Sequence, residues 1–320
     1  MKRNNTLIRP FQILLLAGLL FAAGCVERDL DDRPTTGTLE LALQWPDGIA
    51  PKGAKMYLYD TAGKLVRQAD CKAQGHTMKL DAGEYRLIIH NSDATGVGYA
   101  GTETHGAAQA YALNLSGREP KAGEELAEPH NLYSIGRHAK SETFSIGSNQ
   151  TTRITAAPVA RTKTVGFLFS VSGIDDIASF TGTLKGVSPS VTLCTGEYGQ
   201  TSCLLPFTTK PYTEQKSAVS GTKATGTPNY AASMELFDLL TKAGSAAETN
   251  TIGFTVKDSA GNTYASETDI TEALQKIISD NKGTLPVRIA LNIALEINPV
   301  TAEISATVSP WEEADFDWEI

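Results

Sequence analysis

The most restrictive feature of this sequence is a run of alternating side chains near its C-terminal end. In VRIALNIALEI, residues 287–297, every second residue from Val287 to Ile297 is apolar. Period-two alternation is typical of a strand that turns one face toward a core, and it does not suit a helix. Asn298-Pro299 then predicts a turn into EISATV. We expect these two segments to form the strongest strand pair in the protein.

Shorter segments repeat this alternation along the chain. TLELALQW (38–45), KMYLYDTAGKLVRQ (55–68) and TVGFLFSVSG (164–173) each place apolar side chains on one face. TMKLDAGEYRLIIHN (77–91) reads as two further strands around a turn at residues 81–83. Many short strands and few helices predict an all-β protein of two β-sandwich domains with Greek-key-like connections.

Two turns of this chain are nearly the same in sequence. Asp60 to Gly63 reads DTAG and Asp258 to Gly261 reads DSAG, each between two strand patterns. Asp at the first position and Gly at the last are typical of a tight turn. The repetition is a faint hint of duplication between the two halves.

Two segments interrupt the strand pattern in the second half. In TDITEALQKIISDNKG (268–283), Asp269 is a candidate N-cap with Glu272 as its capping-box partner, and Gly283 ends the helix. Met234–Ala243 is a candidate for a second short helix, stopped by Gly244. Leu205–Asn229 is rich in Thr, Ser, Gly, Lys and Pro and predicts a long exposed loop.

The N-terminus reads as a targeting segment rather than as part of the fold. Three basic residues precede an apolar run from Ile13 to Ala23, which is too short for the roughly 20 residues of a bilayer-spanning helix. Ala22-Ala23-Gly24-Cys25 resembles a lipobox, the cleavage signal of bacterial lipoproteins, and predicts that the Cys25 thiol carries a lipid. The alternative is an ordinary secretory signal with an accidental cysteine.

An acidic cluster follows Cys25 at once, formed by Glu27, Asp29, Asp31 and Asp32. It resembles the surface-export signal of Bacteroidetes lipoproteins, and it can equally be a solvated tether, because its residues cannot build a core. Both readings are compatible with a protein anchored by acyl chains at the outer face of the outer membrane.

These patterns divide the chain into four parts. We expect a signal peptide at 1–24, an acidic tether at 25–36 and β-sandwich domains at 37–160 and 161–320, with one or two short helices in the second. Removing a leader with three basic residues takes the net charge from −8 to −11. That balance argues against binding to nucleic acid or to an anionic membrane surface.

The cysteines beyond Cys25 are Cys71, Cys194 and Cys203. An odd number in an exported protein leaves at least one thiol unpaired. Cys194 and Cys203 could meet across a short hairpin, so a disulfide between them is allowed. Their spacing lacks nearby histidines and does not indicate zinc.

Residue constellations that carry catalysis are not evident. Glu103 and His105, placed on one face of a strand, form at most a metal pair without a third ligand, and a solvated surface pair is the plainer interpretation. The chain contains no G-x-S-x-G, phosphate loop or H-E-x-x-H. Trp45, Trp311 and Trp318 could stack on sugars, but Trp45 falls on the buried face of its strand pattern. We therefore expect no enzyme activity, no cofactor and no metal.

Taken together, several of these segments resemble the fimbrillin-associated anchor lipoproteins of Bacteroidetes. The resemblance is carried by the lipobox cysteine, TLELALQW, LDAGEYRLIIHN, TVGFLFSVSGIDD and the closing run from VRIALNIALEI to ATVSPW. It implies two transthyretin-like β-sandwich domains and a role in holding a fimbria to the outer membrane or limiting its length. A related lipoprotein family of unknown function would share the same patterns.

Three functions follow as hypotheses. The first is a non-enzymatic surface lipoprotein that anchors or caps a fimbrial polymer. The second is a glycan-binding lipoprotein of a polysaccharide-uptake system, and the third is a fimbrillin subunit of the shaft or tip. An aromatic content of 7% with three Trp favours the first over the second.

The resemblance also implies fimbrillin partners bound by strand exchange. An anchor needs its first strand to stay in place, because a protease cut at Arg33 or beyond would separate the sandwich from Cys25. The C-terminal EADFDWEI is the better candidate for exchange, since Phe316, Trp318 and Ile320 alternate with acidic residues. The alternative is an ordinary last strand of the second domain.

Overall fold

The computed structural model describes residues 35–136, 143–212, 228–240 and 249–310. Within these ranges the chain forms twenty-two strands and one helix, so the prediction of an all-β protein is confirmed. Four sheets separate by sequence into two pairs, one from residues 36–160 and one from residues 163–310, and a fifth sheet takes strands from both halves.

The first sheet has three strands in the order β10-β1-β4. They are β1 (Thr36–Leu43), β4 (Gly75–Asp81) and β10 (Thr151–Ala156). β1 lies in the centre, parallel to β10 and antiparallel to β4. Because its odd-numbered apolar residues face inward, Leu39, Leu41 and Leu43 are all buried.

The second sheet has the order β11-β8-β5-β2-β3, with β9 paired to β5. Its strands are β2 (Ala54–Tyr59), β3 (Leu65–Cys71), β5 (Gly83–Asn91), β8 (Tyr133–Ile135), β9 (Phe144–Ile146) and β11 (Val159–Ala160). Its inner face packs on the first sheet through Met56, Leu58, Leu87 and Ile89. The two sheets enclose one core, as a sandwich requires.

The second half repeats this arrangement with a sheet in the order β16-β17-β12-β21-β22. Its strands are β12 (Lys163–Ser172), β16 (Lys210–Pro211), β17 (Tyr230–Leu236), β21 (Arg288–Asn298) and β22 (Glu303–Pro310). As in the first half, the first strand is central and pairs in parallel with a strand from late in its half, here β21. The predicted pairing of VRIALNIALEI with the segment after Asn298 is confirmed by the antiparallel register of β21 and β22.

The opposing sheet has the order β15-β13-β19-β20, with β18 paired to β13. It consists of β13 (Ile177–Ser188), β15 (Cys203–Thr208), β18 (Asp238–Leu239), β19 (Thr251–Asp258) and β20 (Thr263–Asp269). A cluster of rings fills the space between the two sheets. Phe167, Phe169, Phe180, Phe207 and Phe254 lie with ring centroids 4.8 to 6.3 Å apart.

The fifth sheet is small and joins the halves. It consists of β6 (Val97–Ala100), β7 (Gln109–Ala112) and β14 (Ser190–Thr192) in the order β14-β7-β6. β14 belongs to the second half and β7 to the first, so strand pairing crosses the boundary expected at residue 160. That boundary remains a prediction, since the chain order alone defines it.

The helix α1 (Thr271–Asp280) confirms the predicted helical segment. Thr271 N donates to the Asp269 carboxylate at 2.7 Å, although the residue at the cap position is Ile270. Ile270, Leu274 and Ile278 are buried, as the apolar stripe predicts. Gly283, at φ +83°, ends the helix by donating its amide to Ile278 O.

The two related turns have the same hydrogen bonds. Asp60 Oδ1 accepts from Lys64 N and Asp258 Oδ1 accepts from Asn262 N, each at 2.8 Å. Gly63 and Gly261 both have positive φ, which favours glycine, and both donate to the carbonyl of the first turn residue. The shared turn and the shared position of the first strand support the hint of a repeated unit.

Three expectations differ from the structure. Of the second helix expected at Met234–Ala243, Met234–Leu236 lies in β17 and Asp238–Leu239 forms β18, because Met234 and Leu236 alternate against β12. Residues 241–243 lie outside the described residues. Residues 205–211 contribute to β15 and β16 rather than to an exposed loop, and 213–227 lie outside the described residues.

The third difference is at LDAGEY, where the two strands around residues 81–83 do not form a hairpin. β4 and β5 belong to different sheets. Tyr85 Oη donates to Asp81 O at 2.9 Å, which holds the corner between the sheets in the manner of a tyrosine corner.

Candidate functional site

The N-terminal entry of the chain into the fold is fixed on both sides. Ala82 N donates to Thr35 O at 2.5 Å and Asn149 N donates to Thr36 O at 2.9 Å. The expected lipidation site and export signal precede this point and lie outside the described residues: Cys25, Glu27, Asp29, Asp31 and Asp32. Any link from them to the protein body therefore ends at a strand in the middle of a sheet.

At the other end of the described chain, β22 forms one edge of its sheet. Ile304, Ala306 and Val308 pack against the core, and the residues between them are exposed. The last described residue of this strand, Pro310, lies opposite Leu291. The candidate exchange residues Phe316, Trp318 and Ile320 follow and lie outside the described residues.

Main-chain hydrogen bonds join the two halves in several places. Leu126 N donates to Leu204 O at 2.8 Å, and Leu204 N donates to Glu124 O at 3.0 Å. Leu193 N donates to Ala108 O at 2.8 Å, next to the β7–β14 ladder. Apolar residues of both halves also form one continuous core cluster. The sandwiches are therefore held together as one body.

The carboxylate of Glu235 also connects the two halves, and we call the set of contacts between them the junction. Glu235, on β17, accepts hydrogen bonds at Oε2 from Asn131 N at 2.8 Å and from Thr162 Oγ1 at 2.9 Å. Its own amide donates to Glu128 Oε1 at 2.5 Å. Burial raises the pKa of Glu128, and the nearby charge of Glu235 adds to that shift, whereas His130 opposes it.

The linker between the two halves, residues 161–163, is held by side chains from both halves. Arg161 Nε donates to Ser134 Oγ at 2.8 Å, and Tyr198 Oη donates to Arg161 O at 3.2 Å. Lys163 forms an ion pair with Asp238 at 2.7 Å and lies 5.2 Å from the centre of the Tyr198 ring. These contacts bridge residues far apart in sequence, so no local motif could have predicted them.

A buried histidine lies beside the junction. His90 stacks on Tyr99, with ring centroids 4.0 Å apart and planes 18° apart, and more distantly on Tyr57. Its Nδ1 bonds Asn91 O at 2.7 Å. Burial lowers the pKa of His90 to about 4, so the ring is neutral at physiological pH.

The expected surface pair Glu103 and His105 is not found. Both residues lie in a turn region around an isolated bridge at Thr104, not on a strand. Glu103 is exposed, but His105 is buried edge-on against Tyr59, with ring centroids 5.2 Å apart. No group of three metal-ligating side chains occurs within the described ranges.

Cys194 and Cys203 are not bonded to each other in this structure. The chain does turn back between residues 190 and 199, where Thr192 N donates to Glu197 O, but Cys194 lies within that turn and Cys203 lies beyond it. β14, just before Cys194, pairs with β7, whereas Cys203 begins β15 and pairs with β13. The Cys203 thiol lies 3.3 Å from Lys121 O. Burial raises the pKa of the Cys71 thiol to about 11, which makes it a poor nucleophile.

Trp45 does not present an open face for sugar stacking. It is partly buried against the first core, and its indole Nε1 donates to Ala73 O at 2.7 Å. Trp311 and Trp318 lie outside the described residues. In the part of the chain that the structure describes, no helix has the length and apolarity needed to cross a bilayer.

The fold defines a class of protein: an all-β chain of two sandwiches, an architecture that it shares with solved structures from Bacteroides ovatus and Porphyromonas gingivalis. The chain belongs to the family described as a domain of unknown function, DUF5119, which matches residues 24–208.

The chain is similar to one curated protein in sequence and to two solved structures in fold. Over 183 residues it is 27% identical to a Bacteroides ovatus protein named "Putative fimbrium anchoring subunit Fim4B", a match that covers 55% of this chain and 53% of that protein. The chain thus matches only about half the length of this relative.

The first solved structure is described as a "putative adhesin" from Bacteroides ovatus. It has a TM-score of 0.58 and 20% identity, over 90% of this chain and 98% of its own. The second is the fimbrial anchor protein Mfa2 from Porphyromonas gingivalis, with a TM-score of 0.51 and 14% identity over 86% and 98%. At these identities the similarity shows the fold alone.

Proposed function

We propose that this chain is a non-enzymatic surface lipoprotein that anchors or caps a fimbrial polymer at the outer membrane. The observation that carries the proposal is its 27% identity to a protein named as a fimbrium anchoring subunit. In this proposal Cys25 carries the lipid, and the acidic residues that follow it direct the protein to the cell surface. Fimbrillin subunits are the partners.

The position of β1 supports an anchoring role. An anchor has to keep a continuous link between its lipid and its folded part. β1 pairs with strands on both sides and its apolar face is buried, so it is the least detachable kind of strand. We therefore expect TLELALQW to remain in the mature protein.

The position of β22 supports a partner site at the C-terminal end. Among the described residues β22 is an edge strand, and EADFDWEI, residues 313–320, follows it in the sequence. As a donor, that segment would complete the sheet of a fimbrillin, with main-chain hydrogen bonds for affinity and Phe316, Trp318 and Ile320 for register. As an ordinary strand it would extend its own sandwich.

The decisive experiment separates the lipid from the fold. In a fimbriated host, Cys25→Ala should move the protein from the membrane fraction to the soluble fraction and release fimbriae into the medium. The protein should remain folded, because Cys25 precedes the first core residue, Leu39. Fimbriae that stay on the cells would contradict the anchor role.

A matched variant tests the export signal. Replacing Glu27, Asp29, Asp31 and Asp32 by Ala keeps the lipid, so the protein should stay in the membrane fraction but become protected from protease added to intact cells. A shaft or tip subunit would instead be found along or at the end of detached fimbriae. A clear oligosaccharide ligand in a glycan-array screen would favour the glycan-binding alternative.

A further inference from the structure

The first strand of each half has a position that matters under tension. β1 enters its sheet from the N-terminal side and pairs in parallel with β10, through six residue pairs from Thr38–Thr151 to Leu43–Ala156. After β10, only the two-residue strand β11 precedes the second half. The N-terminal end of β1 and the C-terminal end of β10 therefore lie at opposite ends of one parallel ladder.

The hydrogen bonds of this ladder lie across the direction of pull. Thr38 N donates to Gln150 O at 2.8 Å at one end, and Gln44 N donates to Ala156 O at 2.9 Å at the other. A force on the start of β1, opposed at the end of β10, slides the two strands past each other. Because ladder bonds run between strands, all of them are loaded together rather than one after another.

The opposite side of β1 is held as well. Seven residue pairs from Thr36–Asp81 to Ala42–Gly75 join it to β4. Leu39, Leu41 and Leu43 anchor its inner face in the core. Sliding β1 out of the sheet would break both ladders and expose these three side chains at once.

The second half repeats the arrangement. β12, where the linker enters, is parallel to β21 over nine residue pairs from Thr164–Arg288 to Ser172–Glu296. Between the two halves, the linker is tied to both by Arg161 and Lys163. A load that enters at β1 thus meets a ladder in shear, a fixed junction and a second parallel ladder.

We propose that β1 and β10 form a shear-loaded clamp that resists tension applied through the N-terminal tether. The inference rests on the proposed lipid anchor only for the place where the load enters. It adds a mechanical role to these strands: the sandwich stays folded while a cell-attached polymer is pulled.

Single-molecule force spectroscopy of the full mature chain tests this. One handle is attached at the N-terminus and the other at Ala157, the exposed residue that directly follows β10, so that the β1–β10 ladder carries the load and the second half does not. In the comparison, the first handle moves to the exposed turn at Gly48, just past the C-terminal end of β1. That end lies beside the exit of β10, so the same ladder is then peeled open bond by bond.

We expect a high-force rupture with the N-terminal handle and its loss with the handle at Gly48, at the same pulling speed. Equal rupture forces for the two attachments would overturn the clamp. The measurement uses purified protein, so it can succeed or fail independently of whether Cys25→Ala releases fimbriae.

Two proline variants test the ladder itself. The hydrogen bonds that Gln150 O and Ala156 O accept from β1, together with the alternation along β10, place the Thr152 amide toward β1 and the Thr155 amide away from it. Thr152→Pro should raise the unfolding rate under N-terminal load about tenfold, which corresponds to about 1.4 kcal/mol. Thr155→Pro should change it little. If Thr152→Pro does not fold, the two handle positions still decide, and equal rates for two folded variants would contradict the proposal.

Discussion

At His90, burial has a consequence for stability that depends on pH. The folded pKa of about 4 lies below the ordinary value of 6.5, because the ring is enclosed between Tyr57, Tyr99 and the strands around it. In the unfolded chain the ring takes up a proton near pH 6.5. Stability that is complete above that pH is therefore lost as the pH falls toward 4.

His90→Phe should remove this dependence while keeping an aromatic ring in the stack. The variant loses the bond to Asn91 O, so it should be less stable than the parent at pH 7. Between pH 7 and pH 5 the free energy of unfolding of the variant, relative to that of the parent, should rise by about 2 kcal/mol. Urea unfolding at both pH values measures the shift.

His76→Phe serves as the control, since His76 is a partly exposed histidine on β4. An equal shift for both variants would mean that burial of His90 is not the cause.

Among the strands, the C-terminal segment after β22 has two interpretations: it is donated to a fimbrillin, or it is the last strand of its own sandwich. Deleting residues 312–320 should leave the melting temperature nearly unchanged if the segment is donated to a partner, because its own sandwich then does not depend on it. The same deletion should abolish co-purification with a fimbrillin. Loss of folding would instead assign the segment to its own sandwich.

Some strands and the helix could be predicted from the sequence, and others could not. The alternation from Ile289 to Ile297 predicted strand β21, and the apolar stripe predicted helix α1, because each segment fits only one of the two periods, that of a strand or that of a helix. Met234 to Leu240 is short and rich in apolar residues, so both periods fit it, and pairing with β12 decides for strand. LDAGEY has hairpin chemistry, but the Tyr85 bond turns the chain into the opposite sheet.

The junction could not be predicted at all. Glu128 and Glu235 are separated by more than one hundred residues, and neither lies in a motif. Arg161 reads as an ordinary linker residue until Ser134 and Tyr198 are placed beside it. The lipidation site at Cys25 and the exchange segment within residues 311–320 remain predictions from the sequence alone, since both lie outside the described ranges.

For the whole molecule, Glu235 should matter more than its partly exposed position suggests. Glu235→Ala leaves Asn131 N and Thr162 Oγ1 without their acceptor, so we expect a loss of about 1–3 kcal/mol in the free energy of unfolding. Glu296→Ala, an exposed change on β21, is the matched control and should stay within about 0.5 kcal/mol. Denaturant titration compares them, and equal stabilities would show that the junction does not depend on this carboxylate.

The shared sheet also dictates an order of assembly. β7 obtains its outer neighbour only when β14 arrives, and Leu126 obtains its main-chain partner only with Leu204. A chain that emerges N-terminus first from a secretion channel must therefore wait with Ala110 and Ala112 unprotected. Such late, long-range closure is slow and prone to aggregation. On the proposed route to the cell surface, the first half should accordingly stay prone to aggregation until the second half has emerged.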